Sequence, residues 1–361
     1  MVSEVVLTEE QAAAVDAAEA YLKHPDRAHM TLGGYAGTGK TTVLSALMDR
    51  IGDLYPNVVA LSGKAVNVLR GKGLVTAQTI HSLIYIRSIA DDKWIRVEDI
   101  PGRAIIVDEA SMISEELYND LVSFGLPILF VGDMGQLEPI GRDIFLMANP
   151  DVRLEKIHRQ AEGNPIISLA TSLRHGASIA YGDRGGGVIV GRKRDRTMDD
   201  LLWADQIIVG YNATRRMINS SVRLATRRRS NPDQQVVDGE RLICLQNSQR
   251  WGVFNGQGMT VEKVFSEDDS EFVARVRIDG GDILPNVICT KRRLGRDDDG
   301  DRVLVWSSLV VDYGYAITAH KAQGSEWPKV VVVEECSSSW DVRRWSYTAA
   351  TRAREELRYF C

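Results

Sequence analysis

The sequence predicts an α/β protein: two sheets of parallel strands flanked by helices, a β-hairpin inserted in the first and a small β-barrel inserted in the second. Three observations carry that class. Short apolar strands alternate with helical segments through the first half of the 361 residues, as in a parallel sheet covered on both faces. The alternation resumes near Asp151. Between Gly239 and about Leu309 it gives way to short strands separated by Gly, Asn and Asp clusters, the texture of a small barrel.

Residues 11–22 are Ala-rich and helical in pattern, with Thr8 as N-cap. Residues 29–32 form a strand that runs into a Gly-rich turn and a second helix over about 41–51. Strands follow at 58–61, 104–107 and 128–131. Two β-branched and aromatic arms, LIYIRSI and KWIRV, flank Ala90-Asp91-Asp92 and predict a hairpin at about 83–100. In the second half, residues 206–210 are a strand leading into a helix from about Ala213, and 329–333 are another buried strand. The barrel draws on ERLICLQ, GMTVEKVF, FVARVRI and RVLVW. The expected domains are 1–150, then 151–238 with 310–361, and 239–309 as the insertion.

Composition narrows the function classes. Lys plus Arg is 44 and Asp plus Glu 49, a net charge of −5. This excludes a basic chain that coats nucleic acid by bulk charge, though not a basic groove on an acidic body. Cys244, Cys289, Cys336 and Cys361 lie far apart with no CxxC pair, which argues against a disulfide framework or cysteine zinc site and for a reducing compartment. The N-terminal MVSEVVLTEEQ lacks the basic flank of a secretory signal, and the longest apolar stretch, 121–131, is broken by Gly125 and Pro127, so no membrane span is expected.

The chemistry concentrates at strand ends. Gly34-Tyr35-Ala36-Gly37-Thr38-Gly39-Lys40-Thr41 matches GxxxxGK[ST] between a strand and a helix. Glycines there let several N–H groups point at one phosphate, and the helix N-terminus adds positive potential. Lys40 can reach the β- and γ-phosphates of a nucleotide, and the Thr41 hydroxyl can ligate Mg²⁺. Ile105-Ile106-Val107-Asp108-Glu109 is an apolar strand ending in two carboxylates. In such a sheet ligands bind at the carboxyl ends, where Asp108 can hold Mg²⁺ and Glu109 can orient or deprotonate water. A third strand end carries Gln136, whose amide can sense a γ-phosphate or position water. DYGYAITAHKAQGSE, residues 312–326, gathers groups suited to phosphate contacts.

Taken in order, these motifs resemble the superfamily 1 DNA helicases, specifically the RecD/Dda-like branch, over nearly the whole chain. The resemblance implies two RecA-like motor domains around ATP, a pin-like hairpin and an SH3-like barrel. It makes Gln11 in LTEEQ an adenine reader and adds Gly37, Thr38, Gly39, Thr42, Gln323, Gly324 and Glu326 to the nucleotide site. It selects Arg159 and Arg352 as guanidinium groups for the γ-phosphoryl, and assigns DNA contacts to Ser62, Lys64, Thr79, His81, Asn212, Thr318, His320 and Lys321. Two departures stand out: Glu138 replaces the usual proline after Gln-Leu, and SGKAVNVL is looser than the family pattern. The chain ends nine residues after Arg352, so the last strand is expected to be barely completed. Trp94 has two open readings, a stacking wedge at a fork or a ring packed against the motor. Residues 214–229 hold six arginines and no acid, a cluster able to track a phosphate backbone or to form a solvated helix face.

The expected function is an ATP-dependent DNA helicase that moves on single-stranded DNA and unwinds forked duplex, with a 5′ to 3′ direction implied by the resemblance alone. The alternative is a RecD-like ATPase subunit of a recombination or nuclease complex with little unwinding of its own. A DNA-binding module with a merely conformational nucleotide switch fits less well, because Lys40, Asp108, Glu109 and Arg352 are intact. The expected setting is a monomer in the cytoplasm of a bacterial cell or phage-infected host. Its expected partners are single-strand-binding or replication and recombination proteins, with no membrane.

Overall fold

The computed structural model describes residues 6–87, 94–138, 146–156, 163–226, 236–248, 250–279, 282–296 and 307–361. It contains two compact units, Met1–Ser168 and Leu169–Cys361. In the first unit the strands are β1 (His29–Gly34), β2 (Asn57–Ala60), β3 (Gln78–Thr79), β4 (Tyr85–Arg87), β5 (Trp94–Arg96), β6 (Ile105–Asp108), β7 (Ile128–Gly132) and β8 (Val152–Leu154). Six of them form one sheet in the order β3-β2-β6-β7-β1-β8, and every pair in it is parallel.

Alternation explains why its central strands are apolar throughout. Ile106, Leu129 and Val131 face one core with the helices Glu9–Lys23, Lys40–Arg50 and Gly63–Gly71. Ile105, Val107, Ile128 and Phe130 face the other, with Leu117 and Leu121 of the helix Glu115–Val122. A strand buried on both sides has no use for a polar residue until its end. The first helix opens with a capping box: Gln11 N–H donates to Thr8 Oγ1, and Thr8 N–H to Gln11 Oε1.

The hairpin pairs β4 with β5, Ile86 opposite Ile95. Leu83 and Ile84 end the helix Ile80–Ile84, so the first arm begins later than the sequence suggested. Tyr85 donates its hydroxyl to Asp120, and Arg96 donates to Ser123, which ties the hairpin to the neighbouring helix. Residues 88–93 and the Trp94 side chain lie outside the described residues, and so does the choice between the two readings of that ring.

The second unit holds β9 (Gly182–Asp183), β10 (Val188–Gly191), β11 (Gln206–Val209), β12 (Arg241–Cys244), β13 (Gly258–Glu267), β14 (Glu271–Ile278), β15 (Ile283–Thr290), β16 (Leu309–Tyr313), β17 (Ala316–Thr318), β18 (Trp327–Val333) and β19 (Ala353–Phe360). One sheet runs β17-β11-β18-β19-β10-β9, and β12 to β16 close a barrel. Cys244 and Cys289 pack inside the barrel as free thiols. Burial pushes Cys244 up to about 12, so both behave as small hydrophobic groups.

Three expectations shift. Val152–Leu154 pairs with β1 in the first sheet, and the first compact unit runs to Ser168, so the division falls later than residue 150. The barrel is closed by β16, which pairs with β12 and β15, so it reaches Tyr313 instead of stopping near 309; the predicted strand RVLVW lies outside the described residues. The strand after Arg352 is complete: β19 has eight residues and lies between β18 and β10. No described helix is long and apolar enough to cross a membrane.

Candidate functional site

At the carboxyl edge of the first sheet, β1 runs through a tight loop into the helix Lys40–Arg50. Gly37 and Gly39 adopt φ of 81° and 83°, left-handed values that cost a residue with a side chain roughly 1–2 kcal/mol. Lys40 folds back over the loop, donating from Nζ to Gly34 O at 2.8 Å and Tyr35 O at 3.0 Å, with Asp133 Oδ2 at 3.5 Å. The buried Thr38 donates its hydroxyl to Tyr35 O at 2.9 Å. Gln11 donates from Nε2 to Thr38 O at 3.0 Å. The Gln11 amide therefore joins the first helix to the loop, and its oxygen serves the capping box.

Neighbouring strand ends add carboxylates. Asp108 ends β6; burial pushes its carboxyl up, against the Glu109 backbone hydrogen bond and the positive charges of Lys40 and Lys72. Glu109 stands at φ 55°, a strained conformation for a residue with a side chain and a feature common at functional sites. Gln136 is buried beyond β7, where Gly135 N–H donates to Asp133 Oδ1 at 2.8 Å. Thr41 meets Lys72, whose Nζ donates to Thr41 Oγ1 at 3.2 Å; Thr42 lies beside it, half-buried. Sequence reasoning missed Asp133 and Lys72. Asp133 had a signal, since Phe130-Val131-Gly132-Asp133 repeats the acid-after-strand pattern of Asp108. Lys72 had none.

In the second unit, Arg352 is 4 % exposed. It donates from Nε to Thr348 O at 3.0 Å, from Nη1 to Ser325 O at 3.1 Å and from Nη2 to Thr351 Oγ1 at 3.1 Å. This brings it to the Gln323–Gly324–Ser325–Glu326 turn, where Gly324 has φ 67° and Glu326 is exposed. Arg159 lies outside the described residues.

The residues assigned to DNA have mixed surroundings. Ser62 Oγ accepts from Ala65 N–H at 3.1 Å and Thr79 Oγ1 from Ser82 N–H at 3.1 Å, so both hydroxyls are helix N-caps. Lys64 is helical, with its side chain outside the described residues. His81 and His320 are half-buried, and burial lowers the pKa of each. At neutral pH each is an uncharged hydrogen-bonding group. Thr318, half-buried at the end of β17, leads into the short helix Ala319–Ala322 that carries His320 and Lys321.

Asn212 Oδ1 accepts from Arg215 Nε at 3.2 Å. The start of its helix, Asn212–Thr226, already carries an anion: Glu335 Oε2 accepts from Gly210 and Tyr211 N–H at 2.7 and 2.8 Å. Two of the six arginines of the cluster are engaged within the fold. Arg215 is buried against Asp312, and Arg223 pairs with the fully buried Glu240 at 2.9 Å. These two hold the fold together, and 227–229 lie outside the described residues.

Comparison with known proteins fits this arrangement. Residues 6–189, just over half of the chain, match the AAA domain family, and 313–358 match the UvrD-like helicase C-terminal domain. The chain is 30% identical to the ATP-dependent RecD2 DNA helicase of Deinococcus radiodurans across 97% of its own length and 48% of that protein. It is 28% identical to the ATP-dependent DNA helicase dda of Enterobacteria phage T4 over 41% of its length and 38% of that protein. The chain thus spans about half, or less, of the curated relatives it matches. Bacteroides Pif1 bound to ssDNA shares the fold, with a TM-score of 0.60 at 19% identity, covering 99% of this chain and 93% of that one. With the phosphate loop, the two sheets and the inserted barrel described, the chain belongs to the AAA domain family and carries a match to the UvrD-like helicase C-terminal domain.

Proposed function

We propose that this chain is the ATP-driven motor of a DNA helicase that moves 5′ to 3′ on single-stranded DNA and opens forked duplex. The observation that carries the reading is the gathering of Lys40, Thr41, Asp108, Glu109, Asp133 and Gln136 along one carboxyl edge of the first sheet. Lys40 binds the terminal phosphates, with Asp133 setting its ammonium. Glu109 orients and deprotonates the attacking water, and Gln136 senses the γ-phosphate. Gln11, which donates to the Thr38 carbonyl, reads adenine. The resemblance assigns Arg159 and Arg352 to the γ-phosphoryl and Gln323, Gly324 and Glu326 to the nucleotide, and these roles are carried into the proposal on that resemblance alone.

The donor set fits Mg²⁺. A cation, the Lys72 ammonium, already lies against the Thr41 hydroxyl and acts electrostatically on Asp108. Thr41 and Asp108 would hold the ion, which when bound neutralises charge on the phosphates. Glu109→Gln keeps shape and loses the base, so it is expected to bind ATP and stall; nucleotide retention measured beside turnover checks this.

Single-stranded DNA as ligand draws support from Pif1, solved with ssDNA on the same fold. Adding it should stimulate ATP turnover, and affinity should fall with salt at a slope near −0.7 per phosphate contact. Flat affinity across salt would reject a phosphate-tracking surface. Strand displacement on 5′- and 3′-tailed duplexes tests the direction. Turnover without displacement on either would favour the ATPase-subunit alternative.

A further inference from the structure

We infer that Lys72 is a resident cation of the metal position, holding the Thr41 hydroxyl in place of a divalent ion and yielding when one binds with nucleotide. The inference rests on the ATP site proposed above. Its basis is the contact of Lys72 Nζ with Thr41 Oγ1 at 3.2 Å. These residues come from different elements, 31 positions apart.

The local fold aims the side chain there. Lys72 follows the helix Gly63–Gly71, and its N–H turns back to the carbonyls of Val68 and Leu69. Gly73 then leaves the helix at φ 96°, and Leu74 N–H closes onto Leu69 O at 3.1 Å. This is a C-terminal cap that ends the helix just before Lys72. The other end of the same helix begins at Ser62, Gly63 and Lys64, the segment assigned to DNA. One rigid helix of nine residues therefore has the candidate DNA turn at its start and a cation for the metal site at its end.

Two opposite shifts follow from a cation that competes with Mg²⁺ and substitutes for it. Without Mg²⁺, Lys72 supplies positive charge near the phosphates, so Lys72→Met should weaken binding of a fluorescent ADP analogue. With Mg²⁺ titrated in, the competitor is gone, so the variant should reach half-saturation at a lower Mg²⁺ concentration. Each shift is expected at roughly two- to five-fold, the range for an exposed charge pair. Lys72→Arg, which keeps the charge, should stay nearer the wild type in both. The titrations use the full chain at fixed ionic strength, since an exposed cation is screened by salt, and circular dichroism checks the fold of each variant.

A folded Lys72→Met protein with the wild-type Mg²⁺ dependence overturns the inference and leaves the ATP site standing. A wild-type protein that binds no ADP analogue at any Mg²⁺ concentration overturns both. Repeating the titrations with a single-stranded oligonucleotide reads the far end of the helix: a smaller gap between wild type and Lys72→Met shows DNA lifting Lys72 away, and an unchanged gap removes the helix as the link.

Discussion

Lys40→Ala is expected to lower ATP turnover by roughly 10²–10³-fold or more, the scale for losing one preorganised group that meets developing charge. The ammonium lies where Gly34 O, Tyr35 O and Asp133 converge, and alanine leaves no cation on the loop to meet the terminal phosphates. Binding to single-stranded DNA should persist, because the segments assigned to DNA are Ser62–Lys64, the Thr79–His81 turn and the Thr318–Lys321 segment. Lys40 also neutralises Asp133, which is 2 % exposed, so the melting temperature must be measured beside turnover. Asp133→Asn separates the two roles: it removes the need for the ion pair and keeps the lysine. If Asp133 orients Lys40, that variant retains nucleotide binding and loses turnover. Undiminished hydrolysis by a folded Lys40→Ala protein would overturn the assignment of the site.

Much of this site could be read from the chain because its parts are local. A phosphate loop needs its glycines, lysine and threonine within eight consecutive residues, and an apolar strand announces its end by the first acid. Asp108 and the loop were legible for that reason. What the sequence hid are contacts between distant residues. Ser62 and Thr79 are assigned to DNA by the resemblance alone, and the N-cap each provides to the helix after it emerges only from the geometry. Val152–Leu154 is too short to show a period, so nothing tied it to β1. Arg215 and Arg223 were hidden for another reason. Arg215 shares a helix face with Ile218, Asn219 and Val222, all buried, so the 3.6-residue period alone puts it inside. The acids it and Arg223 need, Asp312 and Glu240, lie 97 and 17 positions away.

Asp312→Ala should be among the most destabilising single changes in the second unit, lowering its unfolding free energy by about 3–5 kcal/mol. Asp312 is 2 % exposed and uses both oxygens. Oδ2 accepts from Arg215, and Oδ1 accepts from Gly295 N–H and Tyr313 N–H, each at 2.7 Å. Alanine would leave a buried guanidinium and two backbone donors without that acceptor. The damage would spread along one helix face. Asn219 Nδ2 donates to Tyr313 O at 3.0 Å and Ala316 O at 3.2 Å, and its Oδ1 accepts from Ala316 N–H at 2.7 Å. One turn further, Arg223 pairs with Glu240, which also takes the Tyr315 hydroxyl at 3.0 Å, and its guanidinium lies 3.7 Å from the Tyr313 ring centroid. This face therefore fixes the path from β16 to β17, and β17 delivers Thr318 and the turn that meets Arg352. Arg215→Met should cost less than Asp312→Ala, because the carboxylate keeps its two backbone donors. Combining Arg215→Met with Asp312→Leu should recover only part of the loss, since those donors stay unmatched. Denaturant titration of the three variants gives the order. An Asp312→Ala protein within about 1 kcal/mol of wild type would mean that the buried pair contributes no more than an exposed one, and that the helix is held by its apolar packing on the second sheet.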